Sequence, residues 1–214
     1  MNHVAKQQGW VGRQFNRKED YRLTTGKGQY FADIVVPGML HLQFVRSVHA
    51  HARIKRIDTS AAKAIGGVIA VVTGSDIRDA IKSLPQPVVV PALPARYPTF
   101  WPLAVDKVKF HGEPVAAVVA RDKYVAEDAA DAVVIEYEPL PIVSDMEDAL
   151  KPGSPIVHDG WENNEMFSLT FTGGATPESQ AANDADVDQL MQSADVSIKS
   201  RYRVHRCGVT PLAS

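Results

Sequence analysis

From Pro114 to Ala120 the chain runs through seven residues without one polar side chain, and two positions later Asp122 opens a stretch of a different period. An apolar run this short reads as a buried strand. Beyond Asp122, residues Val125, Ala126, Ala129, Ala130 and Val133 recur at helical spacing and share one face. The aspartate can accept the first free amides of that helix, and its alanines let it lie close to a sheet. Val133 to Tyr137 leads out as another strand. A β-α-β run of this kind commits the chain to a mixed α/β fold.

Upstream elements are shorter. Gly26 and Gly28 followed by Tyr30-Phe31 read as a turn entering a short strand, and Pro37-Gly38 as another turn. Leu40, Leu42 and Phe44 alternate with His41, Gln43 and Val45 as in a half-buried strand. Ala50 to Ile57 is a second extended run with Arg53, Lys55 and Arg56 along it. Asp58-Thr59-Ser60 offers capping oxygens to a short helix that Gly66-Gly67 stops. Val68 to Val72 reads as a β-branched strand, and Thr73 to Asp76 as the start of a second helix. From Pro85 to Pro102 six prolines fall within eighteen positions, which predicts an extended surface loop.

Downstream, Ser144 to Glu147 matches a capping box for a short helix that Pro152-Gly153 ends. Trp161 to Asn164 is polar, Met166 to Phe171 reads as a strand, and Gly173 to Ala182 as a loop. Val187, Leu190 and Met191 place a helix over 184–194, and Val196 to Val204 alternates along a long strand. Residues 1–20 are polar and extended in this reading. The divisions are an extended segment over 1–20, one domain over 21–150 and the beginning of a second, incomplete one over 151–214.

Composition narrows the function. Lys and Arg total 23 against 25 Asp and Glu, a net charge of −2, so the basic excess of a nucleic-acid binder is missing. Cys207 is the single cysteine, which excludes an internal disulfide and an iron–sulfur cluster or zinc ribbon built by this chain alone. No apolar run reaches the roughly 18–20 residues of a membrane span, and the first twenty residues hold no apolar signal core. A cytoplasmic protein is the expectation.

Five constellations could carry chemistry. On a strand, His49 and His51 would face one side and could share a metal, but no third ligand stands nearby in sequence. Gly26-Lys27-Gly28 resembles part of a phosphate loop, yet Phe31 stands where the dinucleotide fingerprint has its third glycine. His111 and Glu113 bring an imidazole and an acid together in Phe110 to Pro114, a stretch that reads more simply as a bulged turn. Glu136 and Glu138 alternate with Tyr137 as on the solvated side of a strand. Cys207, after Arg203, His205 and Arg206, has no partner base in the sequence around it. None of these is assigned a catalytic, cofactor-binding or metal role.

Several stretches together resemble one family. They are Gly12-Arg13 with Arg17 to Asp20, Arg22 to Gly26, Tyr30 to Ile34, Pro37 to His41, and above all Phe44 to Ile54, FVRSVHAHARI. Ile57 to Ser60, Gly67 to Gly74, Gly112 to Ala116 and Glu136 to Pro141 follow in the same order. The chain is similar to the opening of the large, molybdenum-binding subunit of the xanthine dehydrogenase and aldehyde oxidase superfamily, nearest its carbon-monoxide-dehydrogenase-like branch.

That resemblance implies an α/β-hammerhead domain to about residue 150 and the start of the molybdopterin-binding region from about Val157. Tyr202 to Leu212 looks like the strand and turn opening the first cofactor lobe. It implies that the pterin-holding segments and the catalytic glutamate lie past Ser214. The chain would then bind no cofactor by itself, while the complete enzyme carries molybdopterin, [2Fe-2S] clusters and FAD. Partners would be the remaining molybdenum-subunit polypeptide, an iron–sulfur subunit and an FAD subunit, with no nucleic acid. The expected role is a scaffold within an oxidoreductase, the isolated chain being inactive. The rival is a truncated or vestigial stand-alone domain, or an assembly or binding module. Under the first reading the Val196 to Val204 strand lacks ladder partners when residues 151–214 stand alone.

Overall fold

The structure, a computed structural model, describes residues 12, 15–85, 95–168, 187–189 and 191–204. It divides into two units, residues 39–199 and residues 1–38 with 200–214.

Among the described residues of the larger unit, six strands form two three-stranded antiparallel sheets. They are β1 (His41–Arg46), β2 (Ala52–Asp58), β3 (Val68–Thr73), β4 (Lys107–Val108), β5 (Pro114–Ala120) and β6 (Val134–Pro139). One sheet has the order β1-β5-β3 and the other β4-β2-β6. The apolar run Pro114–Ala120 is the central strand of the first, which is why it carries no polar side chain. The expected β-α-β run exists, but it is no parallel crossover. Strands β1 and β3 already occupy both edges of β5, so β6 cannot join it and pairs with β2 instead.

The helix between them, α4 (Lys123–Asp131), starts as the sequence predicts. Asp122 Oδ1 accepts the amides of Tyr124 (2.7 Å) and Val125 (3.3 Å), a cap contributing about 1 kcal/mol. Its buried Ala126, Ala129 and Ala130 lie against β1 and β5. Around them Ala62, Val71, Val118 and Val133 form a core cluster, joined by the half-buried Ile57 and Ile135 of the second sheet. The same two isoleucines pack against Ala52, Ala104, Val108 and Val115, so both sheets share one apolar interior.

Short helices fall where caps were read. In α2 (Ser60–Ala64) the cap is Asp58, whose Oδ1 accepts the Ser60 amide at 3.0 Å. In α3 (Gly74–Ile77), Asp76 Oδ2 accepts the Thr73 amide at 2.8 Å. At the predicted capping box the donors turn to Asp145 rather than Ser144: its Oδ1 takes the amides of Glu147 and Asp148. The result is a 3-10 turn, Asp148–Leu150.

Other expectations fail for physical reasons. Residues 95–102 hold no regular structure, as their prolines dictate, but all except Thr99 are half-buried rather than on an open surface. Their aromatic side chains take them inward. Residues 166–168 join no ladder, and the rest of the predicted 166–171 strand lies outside the described residues, as does the 173–182 loop. Helical turns appear at 187–189 and 191–193. No strand forms at 196–204, although the alternation is there: Val196, Ile198, Tyr202 and Val204 stay exposed. Alternation supplies a face, whereas a strand also needs a neighbour to satisfy its amides.

In the smaller unit, α1 (Asp20–Thr24) was not read from the sequence. The expected strand at Tyr30-Phe31 is a 3-10 turn, Phe31–Asp33, because Asp33 Oδ2 accepts the Tyr30 amide at 2.9 Å and closes the chain on itself.

Candidate functional site

The larger unit holds a cleft of about 210 Å³. One wall is the half-buried proline-rich segment, with Tyr97 and Trp101. Another is the stretch around β4, with Lys107, Lys109 and Glu113, and the third is His158, Asp159 and Trp161.

Each wall is fixed by specific bonds. Lys107 is buried, and its Nζ meets Asp159 Oδ1 at 2.8 Å. That hydrogen bond holds the Asp159 carboxyl below its ordinary range. Glu113 is only 4% exposed. Burial raises its carboxyl pKa even though Oε2 accepts the Lys109 amide at 2.5 Å. Asp106, on the rim, pairs with Arg78 at 2.6 Å. On the third wall, Asn164 pins its own loop by accepting the Val157 amide and donating to Ala149 and Pro155 carbonyls. Arg96 ties that loop to the proline-rich wall. Its amide donates to Met166 O at 2.8 Å, its guanidinium reaches Asn163 Oδ1 and Glu165 O, and it lies 4.9 Å over the Trp161 ring.

His158 sits edge-on to Phe100 and tilted over Trp161, with centroids 6.2 and 4.8 Å away. Burial lowers its pKa first, and the ammonium groups of Lys109 and Lys107 lower it further. Asp159 pulls the other way, and His51 adds a small lowering. A lowered pKa means the unfolded chain takes up the proton first as pH falls. Stability should therefore be intact above about pH 6.5 and decline below it. Urea midpoints between pH 7.5 and 5.5 should fall for the native chain and flatten in His158→Gln. Glu113 acts with the opposite sign, since its raised pKa gives stability that is lost as pH rises from 4.5. The variant comparison isolates the imidazole.

The residues singled out in the sequence do not converge here, except Glu113. His49 and His51 lie in the bend between β1 and β2, not on a strand, so the same-face premise fails. His49 meets the Tyr137 ring edge-on at 4.9 Å. His51, 6% exposed, donates from Nδ1 to Pro141 O at 2.7 Å, since a carbonyl can only accept, and this leaves buried Nε2 without a partner. Gly26, at φ +71°, lets the Lys27 amide return to Arg22 O (2.8 Å), so Gly26-Lys27-Gly28 ends a helix instead of opening one. The 110–114 stretch is the turn read from sequence, with Gly112 at φ +86° donating to Ser47 O. Exposed Glu136 and Glu138 face Arg56 and Lys55 at 3.9 and 3.3 Å, which also neutralises the basic run. Cys207, His205 and Arg206 lie outside the described residues.

Sequence reading missed Lys107, His158, Asp159 and Trp161. The signal available was Trp161 itself, an aromatic in a stretch taken as polar.

The acids of the cleft are engaged within the chain. The three carboxylates are already taken by a lysine, an arginine and a backbone amide of the chain itself. Among the described residues no three His, Cys, Asp or Glu side chains gather as a metal site, and no helix is long and apolar enough to cross a membrane. The geometry works as a clamp that joins the 96–109 segment to the 158–166 loop.

Comparison with known proteins gives this architecture a family. Residues 25–141 match the model described as "Aldehyde oxidase and xanthine dehydrogenase, a/b hammerhead domain". The carbon monoxide dehydrogenase large chain of Afipia carboxidovorans is 38% identical across 98% of this chain, and that match spans 25% of the relative. Subunit gamma of the 6-hydroxypseudooxynicotine dehydrogenase complex of Paenarthrobacter nicotinovorans is 44% identical over 97% of this chain and 25% of its own length. Aldehyde oxidoreductase from Desulfovibrio gigas superposes with a TM-score of 0.66 at 28% identity, covering 84% of this chain and 19% of that one. This chain thus spans about a quarter of the curated relatives it matches. Its sheets, its capped helices and the match over more than half its length agree: the chain belongs to the aldehyde oxidase and xanthine dehydrogenase family and carries that family's α/β hammerhead domain.

Proposed function

We propose that this chain is scaffold within a molybdenum hydroxylase, an oxidoreductase whose reacting centre is built by other polypeptide. Residues 21–150 are the hammerhead domain, residues 151–214 begin the molybdopterin-binding domain, and residues 1–20 precede both. The chain contributes no catalytic, cofactor-binding or metal-ligating residue. The rest of the molybdenum subunit supplies the molybdopterin site, and iron–sulfur and FAD subunits carry electrons away, in a cytoplasmic assembly. The observation carrying this reading is a hammerhead match to large subunits of which the chain spans about a quarter. The clamp favours it too, since it braces one segment against another.

The test is purification through an affinity tag on this chain from cells grown under conditions that induce the complex. Co-purifying polypeptides carrying molybdenum, iron and flavin are the expected result, with oxidoreductase activity that disappears when the chain is deleted. An active molybdenum complex lacking this polypeptide would refute the reading in favour of a stand-alone domain.

A further inference from the structure

The two sheets treat their outer faces in opposite ways. On β2 and β6 the outward positions are Arg53, Lys55, Arg56, Glu136 and Glu138, exposed and cross-paired. Such a face is built for water. The first sheet carries α4 on its other side, and its outer face is made of two cross-strand rows. Leu42, Val119 and Ala70 are in register across β1, β5 and β3, and Phe44, Ala117 and Val72 form the next row.

All six side chains are apolar. Leu42 and Phe44 are 52% and 39% exposed, Ala70, Val72 and Val119 between and beside them are half-buried, and the small Ala117 is buried in the floor of the face, though none of the six belongs to either core cluster. A shift of register between Val45 and Arg46 explains why Val115 can join the interior while Ala117 and Val119 face out. Beside the patch, Arg46 lies 5.5 Å over the Phe44 ring and donates to Gly112 O at 2.9 Å. It borders the rows rather than interrupting them. Scattered exposed apolar side chains need no explanation, but a contiguous two-row face marks a contact surface.

We infer that this face docks the polypeptide corresponding to the three quarters of the large subunit that the chain does not span. The inference rests on the proposed function and names the surface through which it acts. Three considerations select this occupant. The relatives keep the matched stretch in one polypeptide with roughly three times its own length, so a cover from the same polypeptide is at hand. The six side chains of the face carry no charge or hydrogen-bonding group to recognise a polar ligand or a nucleic acid. Its flat, aliphatic rows suit a second layer of sheet or the apolar stripe of a helix, which is how a sheet face is ordinarily buried.

The experiment separates this chain from the molybdenum-containing polypeptide with which it co-purifies, recombines the two, and measures affinity by calorimetry. Phe44→Glu and Leu42→Lys, on the edge strand, should each weaken association at least tenfold. Arg53→Glu on the charged sheet should change it less than twofold. Circular dichroism and urea midpoints check that the variants fold, and a fluorescent apolar dye bound by the free chain should be bound less by either variant. Unchanged affinity for both face variants, with the native chain binding, would overturn the docking surface and leave the scaffold reading standing. Absence of any association would overturn the scaffold reading with it. A self-dimer that Phe44→Glu dissociates would assign the face to a second copy and overturn the inference.

Discussion

Gly74→Val should destabilise the larger unit by about 3 kcal/mol, because the glycine lies directly against the backbone of a neighbouring segment. Gly74 opens α3 and is buried. A Cβ built there runs into the Ala104 carbonyl, 2.8 Å from its carbon and 3.0 Å from Val105 Cα. Its φ is not in the left-handed region, so the constraint is space alone. Both obstacles are main chain, which cannot swing aside as a side chain would. Moving them also disturbs the Ala104 amide, which donates to Pro114 O at 2.7 Å and so ties this segment to the central strand. Urea unfolding followed by circular dichroism should show the loss, and a melting point lower by about 6–12 °C should accompany it. A midpoint within experimental error of the native one would mean that the 104–105 segment yields freely.

Ala129→Leu should cost about 2–3 kcal/mol, the second largest effect. Ala129 is fully buried on α4 between the helix and the β1-β5-β3 sheet, packed with Val118 and Val71. Leucine is an equally good helix former to within a few tenths of a kcal/mol, so propensity cannot explain a loss. What changes is the distance between helix and sheet, which three added carbons must increase. Ala129→Gly is the complementary variant: it keeps the close approach and loses about 1 kcal/mol of helix propensity. Overpacking predicts that leucine is the worse of the two. The reverse order would show that the helix has room to shift.

These two positions differ in how visible they are in the sequence. Ala129 belongs to a stripe with Val125, Ala126, Ala130 and Val133, and its spacing alone puts it on a buried face. Gly74 sits in Thr73-Gly74-Ser75-Asp76, which announces a helix start but not the backbone that crosses it thirty residues later. The same division runs through the candidate site. Glu113 was at least singled out, as an acid beside His111, although Phe110 to Pro114 read more simply as a turn. Lys107, Asp159 and His158 were not. An isolated lysine carries no sign that it will be buried, and its carboxylate partner stands 52 positions away. His49 and His51 misled in the other direction, because two histidines two apart share a face only if the segment is a strand. Here it is a bend.

Local order was determined by the sequence itself: strand β5 by its unbroken apolar run, α4 by Asp122 and its alanine face, the short helices by their capping aspartates. Each depends on interactions within a few residues, where spacing and side-chain chemistry suffice. The run of motifs from Gly12 to Pro141 also carried the family, later matched over residues 25–141. Only the tertiary structure decided that β5 and β6 part into different sheets, that residues 95–102 turn inward, and that one sheet face is charged while the other is left apolar. Those outcomes depend on which edges are already paired and which distant side chains arrive together. No local period encodes either, because a ladder and a core exist only once separate parts of the chain have met.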